Sequence, residues 1–332
     1  MWYTVVDCRT VSTERSFTLD KIYDLIILGA GPAGLSAAIY AGRSRLDTLL
    51  LEQGQDGGQI ALTDRIDNYP GQLEGDSGAS LIARMASQAE KAGVRRLRDT
   101  VRSVELGDTV KKLTGRNGDY LARTVILACG AAPRPIGCKN EEDYVGRGIS
   151  FCATCDAPFF RGLEVYVAGG GNAAVTEALY LAGFARSVTL IYPGERLSAP
   201  KALLEQASRE PKLRLLPHSV VEEAGGEGHE VLDRLVIRDV QTGRLTELRA
   251  DPADGLLGLF GFLGFRPGTR LFEGQLAMEG GYLVTDEEMR TSLPGVFAAG
   301  DLRKKSLRQV VTAAADGAIA AVQAERFLRG RG

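Results

Sequence analysis

Tyr23-Asp24-Leu25-Ile26-Ile27-Leu28-Gly29-Ala30-Gly31-Pro32-Ala33-Gly34 decides the fold. The apolar run from Tyr23 to Leu28 reads as a buried strand that stops at a glycine turn. Ala33 to Gly42 then reads as a helix and Thr48-Leu49-Leu50-Leu51 as a second strand, which makes a βαβ unit. Within it Gly29, Gly31, Pro32, Ala33 and Gly34 form a G-x-G-x-x-G loop. The first glycine makes the tight turn, the second lets backbone approach a pyrophosphate, and the third lets the helix pack closely. The helix N-terminus adds N–H groups and positive dipole. Glu52 ends the second strand, with Gln53 beside it, at the spacing where a carboxylate accepts hydrogen bonds from a ribose.

The same order recurs downstream. Glu164 to Ala168 reads as a strand, Gly169-Gly170-Gly171-Asn172-Ala173-Ala174 as a G-x-G-x-x-A loop, Ala173 to Ala182 as a helix and Val188 to Ile191 as a strand. Between the two units Thr124 to Gly130 reads as another strand, after which Pro133 and Pro135 break the chain. The apolar run Gly255 to Phe265 is far short of the roughly 20 residues a membrane helix needs, so it reads as a buried strand. Gly295 to Asp301 reads as a strand entering a turn, and Thr312 to Phe327 as an alanine-rich helix. The expected architecture is α/β, with two Rossmann-like three-layer dinucleotide-binding domains, one inserted in the other. Residues 22–125 and 258–332 form the first domain, 126–257 the inserted one, and 1–21 a tail with no assigned function.

Composition is that of an ordinary globular chain: 332 residues, 44% hydrophobic, 25% charged, net charge −2. It offers no basic stripe for nucleic acid and no transmembrane segment. No export signal is evident in the first residues, so a reducing cytoplasmic setting is expected, where a close cysteine pair is catalytic or metal-binding. Cys152-Ala153-Thr154-Cys155-Asp156 is such a pair. A zinc site needs a second pair, which the chain lacks, so no metal is expected. Two cysteines this close can form and break a disulfide, and Asp156 is the natural proton donor and acceptor for the thiol steps. Cys8, Cys129 and Cys138 have no spacing partner and read as buried or free thiols.

Cys-Ala-Thr-Cys-Asp followed by a glycine-rich loop resembles the low-molecular-weight thioredoxin reductases, and the resemblance runs from about Tyr23 to the C-terminus. Gly57-Gly58-Gln59, Asn68-Tyr69-Pro70-Gly71, Gly300-Asp301 and Arg308-Gln309-Val310 match that family's FAD-binding elements. The resemblance implies FAD on the first loop. Gln59 and Asn68 would meet the isoalloxazine, Asp301 the ribitol, and Gln309-Val310 the pyrimidine edge, with Gly58, Gly300 and Arg308 in the same elements. It further implies that Cys155 faces the flavin and Cys152 attacks the partner, a thioredoxin-like disulfide protein, in a homodimer. His218 and His229 are the only histidines and neither lies in a motif, which argues against the glutathione-reductase-like class.

The second loop departs from the pattern. Where the family carries His-Arg-Arg and a distal Arg to hold the NADPH 2′-phosphate, this chain has Tyr192-Pro193-Gly194 and Ser198. Each guanidinium–phosphate contact contributes about 1.5–3 kcal/mol. Their joint loss weakens NADPH by roughly two to four powers of ten. The expectation is therefore that NADPH is not the donor. The alternatives are NADH, with Glu195 or Tyr192 on its ribose; a second FAD, as in diflavin-linked disulfide oxidoreductases; direct reduction by ferredoxin; and an ordinary NADPH enzyme using Arg196 and Lys201. Outside catalysis, a flavin and disulfide redox sensor stands as the alternative.

Overall fold

The computed structural model of the chain describes residues 21–63, 66, 68–226 and 230–330. Apart from Lys21, the expected tail lies outside the described residues, as do Cys8 and His229.

Strand β1 (Ile22–Leu28) turns through Gly29 into α1 (Pro32–Arg43), and β2 (Thr48–Glu52) returns beside it in parallel, Leu25 opposite Thr48 and Leu28 opposite Leu51. A central parallel strand is covered on both faces and must be apolar throughout; Leu25, Ile26 and Ile27 are fully buried. The first portion continues with α2 (Gly78–Lys91), β3 (Arg95–Arg98), β4 (Ser103–Glu105), β5 (Lys111–Thr114) and β6 (Asp119–Leu127). The sheet order is β3-β2-β1-β6-β5-β4, with β4 and β5 added antiparallel.

The chain then leaves this sheet through β7 (Ala131–Pro133). The inserted unit holds α3 (Glu141–Tyr144), β8 (Ile149–Ser150), α4 (Ala153–Asp156), β9 (Glu164–Ala168), α5 (Asn172–Ala182), β10 (Ser187–Ile191), α6 (Lys201–Arg209) and β11 (Leu213–Leu216). Three antiparallel strands follow, β12 (Ser219–Gly225), β13 (Arg234–Asp239) and β14 (Leu245–Arg249), and then β15 (Gly258–Gly261). Its parallel sheet runs β11-β10-β9-β15-β8.

The chain returns through β16 (Phe265–Pro267), which pairs antiparallel with β7, Phe265 opposite Pro133. After the small hairpin β17 (Met278–Glu279) and β18 (Tyr282–Leu283), β19 (Val296–Ala298) adds to β6 in parallel. Helix α7 (Val310–Leu328) closes the first domain against α1, where Ser36 Oγ donates to the Ala314 carbonyl at 2.7 Å.

Sheet pairing shifts the edges expected for the insert. Ile126 and Leu127 pair with Ile27 and Leu28, so they stay with the first sheet. Gly258 to Gly261 pair with Val165 to Ala168, so they belong to the insert. The crossings are β7 and β16, not 125/126 and 257/258. The run expected as one buried strand, Gly255 to Phe265, is instead two short strands in different sheets, broken at Gly264 with φ +94° and with Leu263 exposed. Glycines let the backbone turn there, and alternation alone could not reveal it.

Candidate active site

A cavity of about 1240 Å³ lies where the two units face each other. Gly29, Gly31, Pro32, Ala33, Glu52, Gln53, Gly58, Gln59, Gly300, Asp301, Arg308, Gln309 and Val310 line it from the first domain, and Cys152, Cys155 and Asp156 from the second. Gly34 and Asn68 are not in the lining, although Asn68 Nδ2 donates to Gln309 Oε1 at 3.1 Å.

The first loop has the backbone its glycines require. Gly29 sits at φ +108°, and a Cβ there would stand 2.4 Å from the Ala128 carbonyl oxygen. At Gly34 a Cβ would fall 1.8 Å from the Gly29 carbonyl oxygen, so only glycine lets α1 rest on the turn. Glu52 is held by two backbone donors, Ala30 N–H and Gly54 N–H, each at 2.8 Å. Those bonds fix its carboxylate at the end of β2 while leaving lone pairs for a ligand.

Asp301 is the clearest mark of a missing polar partner. Its Oδ1 is shut off from solvent and has no hydrogen bond among the described residues. Burial pushes its carboxyl above the usual range, against the opposing charges of Lys305 and Arg308. Buried polar atoms without partners are rare and call for a ligand or water.

Behind that turn lies a cluster that composition and motifs did not point to. Asp316, buried on α7, accepts from Gly300 N–H at 3.0 Å, Arg303 Nη1 at 3.2 Å and Lys305 Nζ at 2.7 Å. The one acid on the buried face of α7 stands among small residues and Gln323. Cys129 also lines the cavity as a free thiol. Its exposed surface opens inward, and burial, with the Glu52 charge, pushes the thiol up to about 12. It stays protonated at neutral pH.

Cys152 and Cys155 are joined in a disulfide with their Cα atoms 5.3 Å apart. Cys152 is the N-cap of α4, and its Sγ accepts from Cys155 N–H at 3.2 Å. Asp156 Oδ2 accepts from Ser150 Oγ at 2.6 Å, and Ser150 Oγ accepts from Cys152 N–H at 3.1 Å. Burial raises the Asp156 carboxyl above its usual range, and the Ser150 bond opposes that rise. A carboxyl so tuned can hold and release a proton nearer neutrality. Ser150 was not singled out by sequence, since a lone serine on a short strand carries no pattern.

The second loop lies outside this cavity's lining. Gly171 is the extended N-cap of α5, and Asn172 and Ala173 are exposed while Ala174 is buried. A Cβ on Gly170 would stand 3.0 Å from the Tyr192 Cβ, and Tyr192 is only 4% exposed. Tyr192 therefore packs under the loop, which corrects its expected contact with a ribose. Pro193, Gly194, Glu195, Arg196 and Ser198 are exposed. Ser198 N–H donates to the Gly170 carbonyl at 2.7 Å, which brings the distal selector position beside the loop.

A family model described as pyridine nucleotide-disulphide oxidoreductase matches residues 23–317. The chain belongs to that family. As a pyridine nucleotide-disulphide oxidoreductase it is 46% identical over 311 residues to a thioredoxin reductase of Peptoclostridium acidaminophilum, covering 93% of this chain and 98% of that one. The thioredoxin reductase of Listeria monocytogenes is 41% identical over 310 residues, covering 93% and 95%. Among solved structures, a Streptococcus pyogenes thioredoxin reductase superposes with a TM-score of 0.87 at 39% identity, covering 93% and 99%. A Lactococcus lactis thioredoxin reductase in the FR conformation has 38% identity and the same coverages but a TM-score of 0.62. The family implies FAD, and the cavity fits it: a glycine loop at a helix N-terminus, a tethered acid at the end of β2, and the unpartnered Asp301 oxygen. The chain is accordingly a flavoprotein disulfide oxidoreductase. No helix among the described residues is long and apolar enough to cross a membrane.

Proposed function

We propose that the protein is a thioredoxin-reductase-type enzyme that exchanges electrons between FAD and the Cys152–Cys155 disulfide, and between that dithiol and a thioredoxin-like protein. One observation carries the reading: the disulfide lines the same cavity as the first glycine loop and Asp301. When bound, FAD supplies a two-electron carrier. The chain supplies the rest. Gly29, Gly31, Pro32 and Ala33 receive the pyrophosphate while Gly34 lets α1 close on the turn, with Glu52 and Gln53 beside the ribose. Asp301 and Gly300 hold the ribitol, and Gly58, Gln59, Asn68, Arg308, Gln309 and Val310 hold the ring system. Cys152 attacks the partner disulfide, Cys155 resolves the mixed disulfide, and Asp156 moves the proton.

NADPH is not the preferred donor in this reading. The end of β10 carries Tyr192 turned inward and Pro193-Gly194 without charge, so no guanidinium of the expected pattern faces a 2′-phosphate. NADH on the Gly169, Gly171, Asn172, Ala173 and Ala174 loop, with Glu195 at the ribose, fits the exposed groups; a second FAD or a ferredoxin are the other outcomes. The enzyme works as a cytoplasmic homodimer. Anaerobic stopped-flow reduction tests the donor: rapid bleaching of bound flavin by micromolar NADPH overturns it, and flavin content near two per chain selects the second FAD. Reduction of a thioredoxin disulfide by the flavin-loaded protein tests the activity, and its absence with every donor overturns the function.

A further inference from the structure

Gln309 reaches the disulfide from the opposite domain. Its Nε2 lies 3.8 Å from Cys152 Sγ and its Oε1 3.9 Å from Cys155 Sγ. Asn68 Nδ2, donating to Oε1 at 3.1 Å, leaves Nε2 turned toward Cys152. The backbone N–H of Cys155 is a second donor to Cys152 Sγ, at 3.2 Å. Cys152 thus meets two N–H donors, whereas Cys155 meets a carbonyl acceptor.

We propose that Gln309 is a positioning residue for the dithiol, directing thiolate charge onto Cys152 and the remaining proton onto Cys155. The inference rests on the proposed function, which supplies the electrons. Two electrons enter the S–S bond, the bond breaks, and one proton is taken up, leaving one thiol and one thiolate. A thiolate is stabilised by N–H donors and a thiol hydrogen by an acceptor. Both match the amide as it stands, and Cys152 emerges as the nucleophile.

The test uses the full flavin-loaded chain, reduced anaerobically with dithiothreitol, freed of it, and pulsed with iodoacetamide between about pH 5 and 9 to bracket an ordinary thiol. Mass spectrometry counts alkylation at each cysteine. Cys152 is expected to react faster than Cys155. Gln309→Glu, which sets a negative oxygen against the thiolate, lowers the Cys152 rate at neutral pH about tenfold, and Gln309→Leu about threefold, both with the profile moved to higher pH. Asn68→Ala, at an exposed position, lowers the Cys152 to Cys155 ratio about twofold even if the Gln309 variants fail to fold. Profiles identical to wild type, or faster Cys155 in wild type, overturn the proposal. Reactive cysteines in a protein that reduces no thioredoxin would overturn the proposed function instead, with the Gln309 effect still readable.

Discussion

Ser150 Oγ donates to Asp156 Oδ2 at 2.6 Å while accepting the N–H of Cys152. One hydroxyl therefore ties the acid to the start of the dithiol turn. Ser150→Ala leaves a half-buried carboxyl without its donor and is expected to cost about 1–3 kcal/mol of stability. The Ser150 bond lowers the Asp156 pKa, so its loss moves the acid limb of turnover to higher pH. An unchanged pH profile for thioredoxin reduction would refute this.

Asp156 also makes stability depend on pH. Its folded pKa lies above the ordinary value, raised by burial. The native state therefore carries no penalty below the ordinary aspartate range and loses stability as pH rises through the folded pKa. Asp156→Asn removes that penalty. The difference in Tm between variant and wild type should be smallest at low pH and move in favour of Asn on raising pH, while turnover falls by about 10² or more. A Tm difference flat across pH argues against a raised carboxyl.

Asp316 faces two cations in a buried setting. Truncating one partner of a buried pair costs about 3–5 kcal/mol, because the other charges stay behind. Asp316→Ala is expected to purify with little flavin and a lowered Tm, since the Gly300 N–H that holds the cavity turn loses its acceptor. Asp316→Asn should keep more of both. Full flavin occupancy in the alanine variant would count against the clamp.

At the second loop the test is a gain. Pro193, Gly194 and Ser198 are exposed, and Gly194 has ordinary backbone, so arginines there meet no steric barrier. The triple arginine variant should tighten NADPH about 100-fold or more relative to wild type with NADH little changed, from charge-assisted contacts of about 1.5–3 kcal/mol each. Equal effects on both dinucleotides would show that the loop does not read a 2′-phosphate.

What the chain discloses in sequence is what depends on neighbours along it. Strand β9 matches its expected bounds, Glu164–Ala168, and β1, α1, β2 and α5 agree within a residue, because apolar periodicity and glycine turns are local signals. Strands at the edges of the insert differ from expectation because a strand's sheet is chosen by pairing, which Gly258 to Gly261 do not announce. Ser150 and Asp316 act on near neighbours, within 6 and 16 residues, but a lone serine and a lone helical acid form no pattern that names those partners. The contacts of Gln309 with the two sulfurs span 154 and 157 residues. No spacing rule reaches that far.

The crossing through β7 and β16 has a consequence for biosynthesis. Everything between these strands is made before the first domain receives β19 and α7, so the insert can fold on the ribosome while its host still lacks one strand and its covering helix. Gly300, Asp301, Arg308, Gln309 and Val310 all arrive in that last segment. A nascent chain stalled after β16 would hold the redox cysteines but lack this wall of the cavity. On the proposed function, cofactor capture is thus a late event, waiting for the segment that carries Gly300 to Val310.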